Sequence, residues 1–243
     1  MHYTKPPRAW FHVILVLVLL ASAATAQAKG ATAVRADEPL ATALAQAAPQ
    51  ANPRVIKLAT RALRCVRRTQ AVHTLSVIDY SLPSTTPRLW VFDLAKRALL
   101  FHVLVAHGSN TGGQYAKHFS NREGSHMSSL GTFVTDGTYV GHNGYSLRLK
   151  GLDGRFNDQA EKRDIVIHGA RYVSRRFARA EGRLGRSWGC PAVREAVAKT
   201  LINTIRRQSV VFAYFPDPAF LHGAPTLVDC ADASNAAGPA HAP

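Results

Sequence analysis

The feature that most restricts the fold of this chain is a change of hydrophobic period near residue 71. From residue 71 to residue 215 the apolar side chains fall in short β-branched and aromatic runs with a period close to two, which is typical of strands. We predict strands at 72–80, 88–94, 98–108, 130–140, 145–152, 163–170 and 209–215. Two helices are predicted among them, at 170–182 and from Pro191 to Arg207. The pattern predicts one mainly β domain with a few helices.

The first 28 residues have the pattern of an export signal. Lys5 and Arg8 give a positive start, residues 11–20 are apolar, and small-residue cleavage patterns follow at 21–28. The alternative is an uncleaved membrane anchor, because the apolar stretch 11–28 is near the lower length limit for spanning a bilayer. We expect cleavage near residues 23–28 and a protein exported to the periplasm or cell wall.

About 215 residues remain after cleavage, which suits a single domain with extensions. Residues 29–52 are Ala-rich and predict a linker or weak helix, and residues 53–70 predict a basic helix packed on the core. The β domain is expected at 71–217. Residues 218–243 are expected to form a C-terminal tail that is partly disordered.

The charge of the chain points to an anionic partner. There are 30 Lys and Arg against 15 Asp and Glu, and such an excess attracts polyanions. Export argues against nucleic acid, so an anionic cell-wall polymer or membrane surface fits better. Basic residues recur on one helix face, which is either a strip resting on such a surface or an ordinary solvated face: Arg54, Lys57, Arg61, Arg64 and Arg68.

The cysteines carry the strongest functional signal. Cys65, Cys190 and Cys230 would sit in an oxidising compartment, where thiols tend to pair. A bridge between Cys65 and Cys230 would tie the two ends of the domain together, although the sequence does not prove that pairing. Cys190 is then the candidate for a free and reactive thiol.

The surroundings of Cys190 predict activation of its sulfur. Proline favours the first position of a helix, so Pro191 predicts a helix start with Cys190 at or beside the N-cap. The partial positive charge there would lower the pKa of the thiol. Backbone N–H groups of Gly189 and Cys190 would hold an oxyanion, and Gly189 permits close approach of substrate.

A nucleophilic cysteine needs a base, and His168 is the leading candidate among 11 histidines. It ends the apolar strand "DIVIH", with Gly169 opening the turn. A backbone carbonyl near Gly169 or Ala170 would orient its second ring nitrogen. The alternative for each residue is a purely structural role in packing.

No metal or cofactor is expected. Five histidines crowd one region, but no HExxH occurs and no pair has convincing ligand spacing with a carboxylate, so we interpret them as loop residues: His102, His107, His118, His126 and His142. Ser128, Ser129 and Ser187 lack the GxSxG or SxxK context of a serine nucleophile.

The segments "IHGA" at 167–170 and "GRSWGCPAV" at 185–193 resemble the YkuD-type L,D-transpeptidase catalytic domain of bacterial cell-wall enzymes. That family's pattern is a His-Gly pair, a gap, and then Ser/Thr-x-Gly-Cys. The closest likeness is to its murein L,D-transpeptidase branch, on the segments "VIDYSLPSTTPRLWVFDL", "LVAHGSN", "FSNREGSHMSSLGTF", "GYSLRLKGL" and "GRLGRSWGCPAV". The resemblance covers about residues 70–215.

The resemblance implies a mainly β single domain, a β-sandwich or barrel with a few peripheral helices. In it, Cys190 would attack the peptidoglycan stem between its third residue, often diaminopimelate, and its fourth, a D-alanine. His168 would be the base, Gly189 and Cys190 the oxyanion donors, and Ser187 a support for the loop. The D-alanine would leave, and an amine on another stem or on a protein would resolve the thioester. Members are typically acylated by carbapenems.

One departure concerns substrate binding. Many members have an apolar residue and then arginine after the cysteine, where this chain has Pro191 and Ala192. We expect that role to fall to Arg186 or Arg194, and Trp188 is a further substrate-binding candidate. Two alternatives stay open: hydrolysis of the same acyl-enzyme, giving an L,D-carboxypeptidase or endopeptidase, and a non-catalytic wall-binding protein.

Overall fold

The computed structural model describes His2 and residues 38–232. By compactness the chain divides into units 1–39 and 40–243, and the fold reported below belongs to the second. The predicted signal at 1–28, apart from His2, and the end of the predicted tail at 233–243 lie outside the described residues. Within the described residues, no helix has the length and apolar character needed to cross a membrane.

Nine strands form one mixed sheet, and they occupy these residues: β1 Thr74–Asp79, β2 Leu89–Asp93, β3 Ala98–Val103, β4 Val105–Ala106, β5 Gly131–Gly141, β6 Gly144–Gly151, β7 Val166–Ala170, β8 Ala192–Arg194 and β9 Ser209–Tyr214. Their spatial order is β3-β2-β1-β9-β5-β6-β7-β8-β4. Because Leu104 alone separates β3 from β4 in the chain, the two ends of the sheet meet and the sheet nearly closes into a barrel. The predicted fold class, mainly β with few helices in one domain, is confirmed.

The central strands β1 and β9 are buried along almost their whole length. All six residues of β1 are buried, and it pairs in parallel with β9 from Thr74 opposite Ser209 to Asp79 opposite Tyr214. β9 has the nearly continuous apolar run that is typical of a strand buried on both faces, whereas β1 also buries Thr74, Ser76 and Asp79. The hairpin between β2 and β3 is tied by Asp93, whose Oδ1 accepts from the N–H groups of Ala95 and Lys96.

Six α-helices lie within the described residues: α1 Glu38–Ala47, α2 Pro53–Val66, α3 Arg175–Glu181, α4 Glu195–Ile205, α5 Pro218–Gly223 and α6 Pro225–Asp232. A 3-10 turn spans Gly154–Phe156. Helix α2 begins where expected of its sequence, since Asn52 caps it by accepting from the Arg54 N–H and proline occupies the first turn. Seven of its residues are buried against the core, and its basic residues lie on the less buried face.

Of the two alternatives predicted for 29–52, a linker or a weak helix, the structure contradicts the linker over the described part. Helix α1 lies there, and Leu44 and Ala48 are fully buried in the core. The physical reason is the four-residue spacing of Leu40, Leu44 and Ala48, which gives the helix an apolar stripe. The predicted tail at 218–243 also needs correction, because α5 and α6 fold onto the core through Phe220 and Leu227.

A third correction concerns the residues after Cys190. The predicted helix from Pro191 to Arg207 is a short strand, β8, followed by α4, which begins only at Glu195. Val193 fits the helical spacing of Val197 and Leu201, but it is paired with both Val105 and Gly169 in the sheet. Long-range pairing therefore overrides the local pattern in these three residues.

Candidate active site

The pairing of β7 with β8 brings the predicted base, on β7, near the predicted nucleophile, which lies two residues before β8. The two strands run in parallel, and His168 lies opposite Ala192, two residues after Cys190. Continuing that register places Cys190 beside Val166, and the Val166 N–H lies 3.5 Å from Cys190 Sγ. The geometry therefore brings the Cys190 sulfur beside the start of β7, the strand that carries His168.

The turn before the cysteine is held by Ser187. Its Oγ accepts from the Gly189 N–H at 3.1 Å and donates to the Cys190 carbonyl at 2.6 Å. The backbone of Ser187 is fixed in turn, because its N–H donates to the His107 carbonyl at 3.0 Å and its carbonyl accepts from the Ser109 N–H at 2.7 Å. Ser187 thus links residues 187–190 to the long loop at 108–129.

Gly189 is required at its position for two reasons. Its φ of +124° is one that L side chains rarely adopt, and an added Cβ would lie 2.8 Å from the Met127 carbonyl oxygen. Its carbonyl accepts from Ser128 Oγ at 3.0 Å. Because its N–H already donates to Ser187, Gly189 does not offer the oxyanion donor that the sequence predicted.

His168 has a defined tautomer. Its Nδ1 lies 2.9 Å from the Gly169 carbonyl oxygen, which can only accept, so Nδ1 carries the proton. The second nitrogen, Nε2, is then the basic one in the neutral ring. Burial lowers the pKa of His168 and the bond to Gly169 acts against that shift, so the imidazole is neutral near pH 7 and able to accept a proton.

Gly169 has a packing role beside its carbonyl. A Cβ at this residue would lie 3.0 Å from Ala198 Cβ and 3.2 Å from Glu195 Cα, both in α4. The absence of a side chain therefore lets α4 lie directly against β7, next to His168.

The groups that shift the pKa of the Cys190 thiol differ from the helix N-terminus that the sequence predicted. The prediction that a helix N-terminus activates the sulfur is wrong, because α4 begins five residues further on. Burial raises the pKa of the Cys190 thiol, while the Val166 N–H and then the positive charge of Arg163 act to lower it. The sulfur also lies 3.5 Å from the Asp164 carbonyl oxygen, which a thiol can donate to. The resting group is a thiol that needs a base.

Arg163 is the nearby cation that sequence reasoning missed. Its guanidinium donates to the carbonyls of Ser120 at 2.7 Å and Met127 at 2.6 Å. It also donates to the hydroxyls of Ser129 at 2.5 Å and Ser125 at 3.2 Å. Arg163 therefore holds the second half of the 108–129 loop against the turn that carries Cys190. Its own pKa is lowered by burial and raised by Cys190.

A second cation, Arg88, supports the same loop through His107. Arg88 is fully buried and donates to the Val105 and Leu82 carbonyls. Its Nη2 also donates to His107 Nδ1 at 2.8 Å, and His107 Nε2 reaches the Gly113 carbonyl at 3.1 Å. Burial and then the charge of Arg88 lower the pKa of His107 to about 4. His107 is thus a neutral structural link and not an exposed loop histidine.

The three predicted substrate-binding residues lie in different places. Trp188 is 77% exposed beside the turn, and its ring stacks on His126 with centroids 5.1 Å apart. Arg186 donates to the carbonyls of Ser109 and Gly112, so its guanidinium is engaged by the loop. Arg194 lies at the far end of β8, away from the cysteine.

The remaining site predictions concern disulfides and metals. Cys65 and Cys230 form a disulfide with Cα atoms 5.4 Å apart, which joins α2 to α6. Cys190 is free and buried. In the part of the chain that the structure describes, no group of three or more His, Cys, Asp or Glu side chains is placed to hold a metal ion.

These observations place a free cysteine just before β8 and a histidine on β7, two neighbouring strands of a nearly closed β-barrel. The family model described as L,D-transpeptidase catalytic domain matches residues 47–214. The chain therefore belongs to the L,D-transpeptidase catalytic domain family of the YkuD type. This membership implies an acyltransferase.

Solved structures include similar proteins of low identity. An L,D-transpeptidase from Mycobacterium smegmatis is 11% identical, with 59% of each chain covered and a TM-score of 0.38. One from Mycobacterium tuberculosis H37Rv is 13% identical, covering 59% of this chain and 58% of that one, with a TM-score of 0.35. One from Stackebrandtia nassauensis is 14% identical, with 67% of each covered and a TM-score of 0.34. The match thus spans less than two thirds of the length of the two mycobacterial chains. No curated protein matches the chain.

Proposed function

We propose that the protein is an exported peptidoglycan L,D-transpeptidase with Cys190 as nucleophile and His168 as base. The observation that carries the proposal is the free, buried Cys190, which lies two residues before the strand that pairs with β7, where His168 has its Nδ1 proton held by a carbonyl. A neutral imidazole with a free Nε2 and a thiol of raised pKa are the two reactants that a coupled proton transfer needs. L,D-transpeptidases act on stem peptides of peptidoglycan.

The proposed first half-reaction forms an acyl-enzyme. As Cys190 Sγ attacks the carbonyl carbon of the diaminopimelate that precedes the D-alanine of the stem, its proton passes to His168 Nε2. The tetrahedral intermediate collapses when the C–N bond breaks and the same proton is delivered to the departing amine of the D-alanine. A thioester remains on Cys190. The charge of Arg163 and the N–H of Val166 favour a negative sulfur in this step.

The second half-reaction restores the thiol. An amine of another stem, or of a protein, attacks the thioester carbonyl and loses a proton to His168, which returns it to the leaving sulfur. With water in place of the amine, the product is a trimmed stem, as from an L,D-carboxypeptidase or endopeptidase. The acyl-enzyme is common to both outcomes.

Product analysis separates these activities. The purified protein would be incubated with disaccharide tetrapeptides, and the products separated by liquid chromatography with mass detection. The wild type is expected to release D-alanine and to form dimers cross-linked between the diaminopimelate residues of two stems, while the Cys190→Ser protein forms neither. Tripeptide without dimers would assign the hydrolytic activity. An unchanged substrate with the wild type, or equal turnover by Cys190→Ser, would contradict the proposal.

Export belongs to the same proposal. The positive start and apolar core of residues 1–28 support it, as does a disulfide between Cys65 and Cys230, because disulfides persist in oxidising compartments. Expression with a C-terminal tag, followed by N-terminal sequencing of the periplasmic fraction, is expected to find a mature start between residues 24 and 29. Recovery of full-length protein only in the cytoplasm would contradict it.

A further inference from the structure

A groove on the barrel surface lies outside the cysteine site. It has a volume of about 480 Å³ and is formed where the ends of the sheet meet, between β3, the start of α3, the end of β8 and the first turn of α4. This volume falls within the range of about 300–1,000 Å³ typical of small-ligand sites. Arg194, at the end of β8, is four residues after Cys190, so the two sites are about 13 Å apart along an extended strand.

Three guanidinium groups surround the groove without a counter-charge. Arg175, Arg176 and Arg194 line it, and its lining contains no carboxylate. Within residues 38–232, no Asp or Glu forms an ion pair with any of the three, and Glu195, beside Arg194, pairs with Arg171 at 3.6 Å instead. Three like charges around one groove repel each other, and a bound anion relieves that repulsion. Guanidinium groups bind planar carboxylates through paired hydrogen bonds.

The rest of the lining favours a peptide over a simple inorganic anion. The walls include the apolar side chains of Val103, Leu104 and Val197. His102, also in the lining, is fixed by its Nε2 bond to the Pro87 carbonyl at 3.0 Å and by stacking on Trp90. Since that carbonyl only accepts, Nε2 carries the proton and Nδ1 is an acceptor in the neutral ring. A ligand that matches this lining has carboxylates, an N–H donor and aliphatic groups.

We propose that this groove binds a short acidic peptide carrying at least two carboxylates, such as a second stem peptide of the wall polymer. The choice of stem peptide rests on the proposed function, whereas the preference for an acidic peptide rests on the lining. Binding of a second stem here would hold part of the polymer to the enzyme while Cys190 acts on another stem.

The test is a calorimetric titration of the full chain carrying Cys190→Ser with the tripeptide L-Ala-γ-D-Glu-diaminopimelate. The variants are Arg194→Gln and the double change Arg175→Gln and Arg176→Gln. Arg179→Gln is the matched control, because Arg179 is an exposed arginine of α3 outside the groove lining. We expect each groove variant to weaken binding by about threefold or more and the control to change it less than about twofold, because all four arginines are exposed and an exposed ion pair contributes about 0.2–1 kcal/mol.

Two further titrations, with a conservative variant and with a modified peptide, test the groove proposal. Arg194→Lys is expected to retain part of the affinity, and a tripeptide with amidated carboxylates to lose it. Equal affinity in the groove variants and in the parent would overturn the proposal, as would binding of inorganic phosphate at the groove without binding of the peptide. Carbapenem labelling of the wild type at Cys190 separates the two claims. If labelling fails while Arg194→Gln still weakens peptide binding, the result supports peptide binding in the groove and contradicts the proposed reaction.

Discussion

Removal of the Ser187 hydroxyl should loosen the turn that carries Cys190. In Ser187→Ala the Gly189 N–H loses its acceptor at 3.1 Å and the Cys190 carbonyl loses its donor at 2.6 Å. Both groups are buried, and each buried group left without a partner costs about 1–3 kcal/mol. Allowing for partial relaxation of the turn, the free energy of unfolding should fall by about 2–4 kcal/mol.

Urea unfolding of the oxidised protein, followed by tryptophan fluorescence, measures this loss. With a slope of about 2–3 kcal/mol per molar urea for a domain of this size, the midpoint should fall by about 1–2 M. Thr204→Ala is the matched control, since it removes an exposed hydroxyl that donates to the Thr200 carbonyl at 2.9 Å. Its effect should stay within about 0.5 kcal/mol.

Ser187→Ala should also change the reactivity of the Cys190 sulfur. Cys190 is the free thiol, so iodoacetamide labels this one residue in the oxidised protein. A looser turn should expose Sγ and speed alkylation, while acylation by a carbapenem should slow because the sulfur is no longer held beside β7. A Ser187→Ala protein with wild-type stability and unchanged rates would refute the assignment of Ser187 as the link that holds the turn.

Three further changes test the electrostatics and the covalent frame. Arg163→Gln should raise the pKa of the Cys190 thiol, because the charge of Arg163 lowers it. The pH profile of iodoacetamide alkylation measures this pKa, and the profile of Arg163→Lys should lie closer to that of the wild type. If the profile of Arg163→Gln matches that of the wild type, Arg163 does not have this role. Since the pKa of His107 is lowered to about 4, the folded protein excludes a proton that the unfolded chain binds, so acid destabilises the wild type. Relative to His107→Gln, the wild type should lose about 3 kcal/mol of unfolding free energy as pH falls from about 6.5 to about 4, and a pH-independent difference in urea unfolding would be evidence against it. The double variant Cys65→Ser, Cys230→Ser should lose about 2–5 kcal/mol of unfolding free energy, because the disulfide joins residues separated by 165 positions. Thermal unfolding measures the loss, and an unchanged melting temperature would argue against the disulfide.

Much of the barrel could be predicted because its strands carry their own signal. The segment "HTLSVIDY" is apolar, β-branched and short, and β1 occupies Thr74–Asp79 within it. Residues 192–194 carry no such signal, because "AVR" is too short to show a period and Val193 fits the helix that follows. Only its pairing partners, β4 and β7, make this segment a strand.

The residues of the candidate site could likewise be predicted only in part. Cys190 and His168 could be chosen as candidates from the sequence, because both lie in specific motifs and the cysteine count leaves one thiol over. The role of Arg163 could not be predicted, because "EKRDIV" looks like an ordinary solvated turn before a strand. Arg163 contacts residues in the segment 120–129, and no local sequence pattern indicates contacts between residues so far apart in the chain. The buried Arg88 and His107 pair was missed for the same reason.

The most direct test of the central claim, that Cys190 is the nucleophile and His168 its base, is the intact mass of the protein after incubation with a carbapenem. The wild type should gain the mass of one carbapenem, Cys190→Ala should gain none, and His168→Gln should gain it more slowly. An unmodified wild type, or an equal adduct on Cys190→Ala, would contradict the account.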